Sequence, residues 1–413
     1  MKILYLNSSG GLGGAEVCLL DMIASLKQEH PEWTFGLITA QDGPLVARAA
    51  ALGVTARVLP LPPRLSRLGD SKRESGMLGK IKLGLQLALA VFPVRAWTRQ
   101  LHQGIEEFAP DLIHSNTLKM HVLGAFANCT RRPLIWHLHD YIGSRPFMRR
   151  ALRFCRNRCA AVLANSNSVR DDARRILNRG SHNNELSGPE VITVYNAVDL
   201  DEFSPHGPAA DLDALCGLQP PAAPVVRVGL LATMAWWKGH RDFIEALDIL
   251  QSDPIRGYII GGPLYESEGS QESLDDLKAL SAELGLRDQF GFTGFVEKPA
   301  DVIRALDIVV HASTRPEPFG RVIIEAMACG KPVITTALGG AAELVIIGRN
   351  ALNYQAGEVE DLAGRILELA RSPQLRQRLG AAGRETTVKK FDRQRLGKQL
   401  GDVYSKAKVG RNF

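Results

Sequence analysis

The sequence is poor in cysteine, in aromatic residues and in long apolar runs. The six cysteines, Cys18, Cys129, Cys155, Cys159, Cys216 and Cys329, are sparse for 413 residues and form no Cys-x-x-Cys pair. That argues against a disulfide scaffold and against a zinc site of ordinary spacing, and implies reduced core thiols in a cytoplasmic protein. The longest apolar stretch, residues 83–92, is too short to span a bilayer. The opening MKILYLNSSGG reads as a strand running into a loop and lacks the apolar core of a signal peptide. No nucleic-acid-binding motif is present.

What is there is ordinary soluble composition, 45% hydrophobic and 23% charged, which excludes a disordered or fibrous chain. The length exceeds one ordinary core and suits two domains of about 200 residues each. Net charge is +6, and its location narrows the partners. Within 64–100, Arg64, Arg67, Lys72, Arg73, Lys80, Lys82, Arg95 and Arg99 face only Asp70 and Glu74, an excess equal to the whole net charge. A second stretch, 145–158, holds six arginines and no acid. Both interleave charge with apolar residues, a pattern that suits an anionic membrane or a phosphorylated acceptor and is also that of a solvated helix face. Peripheral contact with the inner face of the cell membrane is the corresponding expectation.

Along the first half, strand-like runs at 3–6, 34–39, 56–59, 111–114, 134–137, 160–164 and 191–195 alternate with helical stretches. After a Pro- and Ala-rich segment, a second series runs at 225–231, 257–260, 289–292, 307–311 and 332–335. Alternating βα units with apolar strands imply parallel sheets covered on both faces. The expected organisation is α/β: a Rossmann-like domain over 1–200, a linker over 201–224, a second Rossmann-like domain over 225–391 and a final helix within 392–413. Ligands of such sheets lie at the carboxyl ends of the strands.

The densest signal is RPEPFGRVIIEAMACGKPVITTALGGAAE at 315–343. A strand ends, a loop carries Glu317, Pro318, Phe319 and Gly320, and a helix begins near Gly320. Unpaired N–H groups at a helix start bind phosphate. Glu325 lies roughly 7 Å further along the helix axis. One carboxylate at the mouth and one deeper, with an anion site between, fit a sugar at one end of a diphosphate and a ribose at the other. A loop acid and an early-helix acid favoured by the dipole would give the same two letters.

Four other features draw notice. Gly10, Gly11, Gly13 and Gly14 follow the first strand and open a helix, where bare backbone can approach a phosphate or sugar. They miss the dinucleotide fingerprint, because its third glycine falls on Glu16. Lys238 follows the first strand of the second series and suits a diphosphate leaving group. His137 and His139 share one face of a strand end by period-two spacing. The Asp-x-Asp pairs Asp199/Asp201 and Asp211/Asp213 sit in the interdomain segment rather than at a buried strand end beside a nucleotide loop, so no metal is expected.

Together these segments resemble the retaining GT-B glycosyltransferases of family 4. Glu317-x7-Glu325, Gly339-Gly340-x-x-Glu343, the glycine loop at 9–16, His139-Asp140, Asn196-Ala197-Val198-Asp199, Lys238-Gly239 and Gly294-Phe295 occur in that family's order, from residue 3 to about 391. The resemblance implies two Rossmann-like domains facing across a cleft that closes over the substrates. It implies retention of configuration without a metal or other cofactor. The implied donor is a UDP- or GDP-linked sugar, expected to be held by Gly13, Gly14, Lys238, Glu317, Phe319, Gly320, Arg321 and Glu325, with His139 near the reacting sugar. The implied acceptor is a glycan or lipid-linked molecule on the side of the first domain. The family's usual arginine ahead of Lys238 is missing; Trp236 and Trp237 stand there, and Arg321 is the expected substitute. A GT-B nucleotide-sugar epimerase, or a nucleotide-sugar-binding protein without turnover, is the alternative.

Overall fold

The computed structural model describes residues 1–62, 77–178, 188–262 and 272–410, leaving aside the side chains of 77–91. The side chains of the basic stretch 64–100 therefore lie mostly outside what is described; of its basic side chains only Arg95 and Arg99 are within it, both exposed. The chain forms two compact units, Met1–Tyr195 with Gln394–Phe413, and Asn196–Arg393.

The first unit carries β1 (Lys2–Asn7), β2 (Thr34–Thr39), β3 (Thr55–Val58), β4 (Leu112–Ser115), β5 (Leu134–Leu138), β6 (Ala161–Ala164) and β7 (Glu190–Thr193), in the order β3-β2-β1-β4-β5-β6-β7. The second carries β8 (Val226–Leu231), β9 (Ile255–Ile260), β10 (Phe290–Gly294), β11 (Ile308–His311), β12 (Val333–Thr335) and β13 (Leu352–Asn353), in the order β10-β9-β8-β11-β12-β13. Every pairing is parallel. Parallel neighbours need crossovers, and helices supply most of them. Because helices cover both faces, β4, β5, β6 and β9 are buried at every residue, which is why these strands read as mainly apolar rather than as alternating apolar and polar.

All twelve expected strands are present with ends moved by a few residues. The sequence reading omitted β13, a two-residue strand too short for periodicity to register. The expected linker is corrected. Residues 201–224 belong to the second unit and contain the helix Leu212–Cys216. Asp213 in that helix binds Arg256 (2.6 Å), Arg227 (3.1 Å) and the Tyr258 hydroxyl (2.7 Å), anchoring the Pro-rich stretch to β8 and β9. The helix Arg395–Val409 belongs to the first unit. It lies on the helix Gly14–Glu29, where Gly397 N–H donates to Ser25 Oγ (2.8 Å). Tyr404 is fully buried, its hydroxyl 2.7 Å from His114 Nδ1.

In both sheets the strand order reverses beside the first strand of the unit. The two crevices lie at the carboxyl ends of β1 and β4 and of β8 and β11, where ligands of doubly wound sheets bind. The conspicuous polar residues collect at both.

Candidate active site

In the second unit, β11 ends at His311 and the chain passes through Ser313 and the Glu317–Gly320 loop into the helix Arg321–Ala328. Gly320 caps that helix in the left-handed region (φ 92°), a conformation that favours glycine. The loop is clipped from outside. Glu317 N–H donates to Leu338 O (3.1 Å), and Gly340 N–H donates to Glu317 O (2.7 Å). The Gly339-Gly340 pair thus fixes the backbone that presents Glu317.

Lys238 arrives from the loop after β8, in the tight turn Trp236–Lys238. Its Nζ lies 2.9 and 2.7 Å from the two Glu317 carboxylate oxygens. Ser313 Oγ donates to the same carboxylate at 2.7 Å, and His311 Nε2 stands 3.7 Å away. Burial pushes the Glu317 carboxyl up, but the Lys238 ammonium and His311 outweigh it and hold the group well below the usual carboxylate range. Glu317 is therefore ionised at neutral pH, and the pair is mostly shielded, with 19% and 14% of the Lys238 and Glu317 side chains exposed. Trp237 O accepts from Thr314 N–H (2.8 Å), tying the loops after β8 and β11 together. One turn into the following helix, Arg321 Nε meets Glu325 Oε1 at 3.1 Å, and Arg321 also donates to Ala197 O (3.4 Å). Arg315 stacks on exposed Trp236, 4.0 Å from the ring centre.

In the first unit, a chain of amides converges on His139. Glu16, buried near the start of its helix, accepts from Gly13 N–H and from Asn7 Nδ2, both at 3.1 Å. Asn7 Nδ2 also donates to Ser9 O (2.7 Å). Asn116 Nδ2 donates to Asn7 Oδ1 (3.1 Å) and to Ala15 O (3.2 Å), and Asn116 Oδ1 lies 2.8 Å from His139 Nε2. Carbonyl oxygens only accept, so Ser9 O and Ala15 O fix which way both amides point. The Asn116 oxygen therefore faces His139, and Nε2 carries the hydrogen. Burial raises the Glu16 carboxyl despite these bonds. Behind His139 lie more imidazoles kept neutral by burial: His114, driven down to about 3, His121 and His137. The His137 and His139 rings are 4.0 Å apart. Asp140 pairs with Arg145 (2.9 Å to Nε).

Residues 227–386 match the model of the glycosyl transferases group 1, and residues 13–184 that of the glycosyl transferase 4-like domain. The Anabaena protein HepE, solved in complex with UDP-glucose, superposes with a TM-score of 0.77 at 28% identity, over 98% of this chain and 99% of that one. The chain belongs to the group 1 glycosyltransferases, of the family-4, GT-B type. Sucrose-phosphate synthase from Thermosynechococcus elongatus shares the fold, with a TM-score of 0.76 at 19% identity over 99% of this chain and 100% of that one. Among curated relatives, the Rhizobium meliloti lipopolysaccharide core biosynthesis glycosyltransferase LpsE is 33% identical over 31% of this chain and 37% of its own length. The D-inositol 3-phosphate glycosyltransferase of Streptomyces bingchenggensis is 29% identical over 73% of this chain and 67% of its own length. The match spans 37% to 58% of the first relatives' own lengths.

Of the residues expected at this glycosyltransferase's donor site, Lys238 and Glu317 stand in direct contact, and Arg321 and Glu325 stand side by side. Phe319 is 2% exposed and packs edge-on against Phe391, ring centres 6.1 Å apart. Its side chain anchors the loop in the core, leaving its backbone at the site. One expectation is corrected. The Gly13 N–H, proposed as a bare anion donor, is taken by the Glu16 carboxylate, and Gly14 is the first residue of the helix. The acid that breaks the dinucleotide fingerprint is thus the acceptor for that N–H. The Asp-x-Asp carboxylates also have partners: Asp213 is held by two arginines, and Asp199 meets Arg393 at 2.6 Å. Sequence reading missed Ser313, His311, Asn7, Asn116 and Glu16. Ser313 and His311 stand four and six residues before Glu317, within reach of a closer reading. Asn7 and Asn116 are 109 residues apart, and nothing local signals their contact.

Proposed function

We propose that the chain is a retaining, metal-independent hexosyltransferase. It moves a sugar from a UDP- or GDP-linked donor to a glycan or lipid-linked acceptor in cell-surface polysaccharide or glycolipid synthesis. The observation that carries this reading is the Lys238–Glu317 pair at the carboxyl ends of β8 and β11. A cation and an anion preset at one point are what departure of a nucleoside diphosphate from an anomeric carbon requires. The ammonium transfers its hydrogen bonds from Glu317 to a phosphate oxygen. The carboxylate it leaves accepts from sugar hydroxyls, and N–H groups at the Phe319–Gly320 helix start take further phosphate charge. Glu325 accepts from the ribose hydroxyls, and Arg321 supplies the second cation. His139, with its hydrogen held on Nε2, accepts a substrate hydroxyl through Nδ1. The binding of UDP-glucose by HepE supports a nucleotide-sugar donor, and the lipopolysaccharide role named for LpsE supports a surface-glycan setting.

The helix Pro146–Cys155 supports an acceptor at an anionic surface. Leu152 and Cys155 face inward, while Phe147, Phe154, Arg150 and Arg153 are exposed. No helix among the described residues is long and apolar enough to cross a membrane. Peripheral attachment at the inner membrane face is the matching reading, tested by sedimentation with phosphatidylglycerol vesicles.

The central test is a thermal-shift screen against UDP, GDP, ADP and their sugars, since a ligand of the folded state alone raises the melting temperature. A hit is followed by product analysis. The proposal expects a product with the donor's anomeric configuration and a rate unchanged by a chelator. Inverted product overturns retention, and release of an epimerised sugar without acceptor favours the epimerase.

A further inference from the structure

We propose that Cys18, His137 and His139 form a site for a borderline-soft divalent ion, zinc in the first place, and that occupation of this site silences the enzyme. Cys18 lies on the helix that follows β1, and the two histidines lie at the end of β5 on one face. Their ligand atoms all lie within 4.8 Å of one another. Zinc bonds of about 2.3 Å to sulfur and about 2.0 Å to nitrogen place tetrahedral ligands roughly 3.3–3.6 Å apart. Small side-chain rotations close the group on an ion.

Two independent features point to a ligand there. His137 is 1% exposed, and neither ring nitrogen has a hydrogen-bond partner among the described residues. Buried polar groups are otherwise nearly always paired. His139 is oriented for coordination. Asn116 Oδ1 lies 2.8 Å from its Nε2 and accepts that hydrogen, so Nδ1 is the nitrogen that would coordinate. Metal-binding imidazoles are held in this way, with the second nitrogen donating to an oxygen. Behind Asn116 stand Asn7 and Glu16, which fix its orientation. One thiolate and two imidazoles select zinc, cobalt or copper over magnesium or calcium. Three protein ligands leave the fourth tetrahedral position to water. On binding, Cys18 loses its thiol proton to solvent, while both imidazoles coordinate in their neutral form. The bound ion occupies the lone pair through which His139 is proposed to receive a substrate hydroxyl, so metal and substrate compete. The inhibitory half rests on the proposed function; the binding half does not.

Cobalt alone, added to the whole protein, is the probe. One equivalent is expected to give tetrahedral d–d absorption and a thiolate-to-cobalt charge-transfer band. Both should vanish in Cys18→Ala and in Cys18→Ser, the second guarding against misfolding of the first, and persist in Cys129→Ser, which removes the exposed thiol. Zinc should inhibit turnover, and Cys18→Ala should resist it by at least about tenfold, the low end of what even outer-shell metal partners contribute, with basal turnover unchanged. Absence of the charge-transfer band in the wild type, or its survival in folded Cys18 variants, overturns the site. Zinc inhibition equal in wild type and Cys18→Ala overturns the silencing. If no transferase activity is found, the cobalt spectra still decide the site.

Discussion

Replacing Lys238 by methionine keeps the aliphatic stem and removes the charge, leaving the Glu317 carboxylate beside Ser313 and His311 without the ammonium that pairs with it. Two outcomes are open to it at pH 7, and both are costly. Remaining ionised and unpaired costs about 3–5 kcal/mol for a buried pair broken on one side. Taking up a proton, against an ordinary glutamate value near 4.3, costs about 3.7 kcal/mol at pH 7 and about 1 kcal/mol at pH 5. The deficit of Lys238→Met should therefore be about 3–4 kcal/mol at pH 7, a fall in melting temperature of about 10 °C for a unit of this size, and shrink to about 1 kcal/mol at pH 5. The sign separates the two proteins. In the wild type Glu317 is depressed, so its contribution is complete above the ordinary carboxyl range and lost as pH falls below it. In the variant burial acts without Lys238, the carboxyl is raised, and stability declines as pH rises from 5 to 7. The double variant Lys238→Met/Glu317→Gln has no charge to desolvate and should recover most of the loss at pH 7. Melting curves across this pH range, with a double-mutant cycle, measure all of this. Equal deficits at pH 5 and pH 7, or a double variant no more stable than Lys238→Met, would refute the reasoning. In turnover, loss of the ammonium should lower kcat by about 10²–10³-fold, as loss of one preorganised charge-stabilising donor does elsewhere.

Three further outcomes are expected. Glu325→Ala should lose most of the donor-induced thermal shift beyond any loss of intrinsic stability from leaving Arg321 without its carboxylate; a full shift would remove Glu325 from the ribose. Arg321→Ala should raise the donor KM about tenfold, equivalent to about 1.4 kcal/mol, and an unchanged KM in steady-state kinetics would discard it as the second cation. Gly239→Ala should destabilise the second unit by about 1–3 kcal/mol, read as a lowered melting temperature. Gly239 has φ 73°, and an added Cβ would lie 2.2 Å from the Ala312 carbonyl oxygen.

The sheets were legible because their strands are buried on both faces, so residues such as 134–137 or 308–311 carry an apolar signal that depends on no distant partner. The Glu317 loop was legible for a related reason: Pro318 and Gly320 restrict the backbone locally, and the helix that follows is local too. What escaped depends on contacts across the chain. Lys238 and Glu317 were assigned separate tasks, one to phosphate and one to sugar, and their direct pairing over 79 residues has no sequence signature. Composition misled in two places. Proline and alanine at 204–224 suggested a linker, but Asp213 within it finds two arginines in the adjoining strands. Glycines at 10–14 suggested bare amides, but Glu16 folds back onto one of them. Local pattern reports where backbone is free to bend; it does not report which side chain later occupies the space.

The placement of Arg395–Val409 sets a schedule for biogenesis. The seven strands of the first unit leave the ribosome early, yet Tyr404, the partner of His114 beneath that sheet, is translated after the entire second unit. Until then the outer side of Gly14–Glu29 lacks its cover, exposing apolar surface while about two hundred more residues are made. The nascent chain is therefore most vulnerable to chaperone capture or proteolysis in this interval, and a stop codon near residue 393 should yield insoluble protein although every strand has been synthesised.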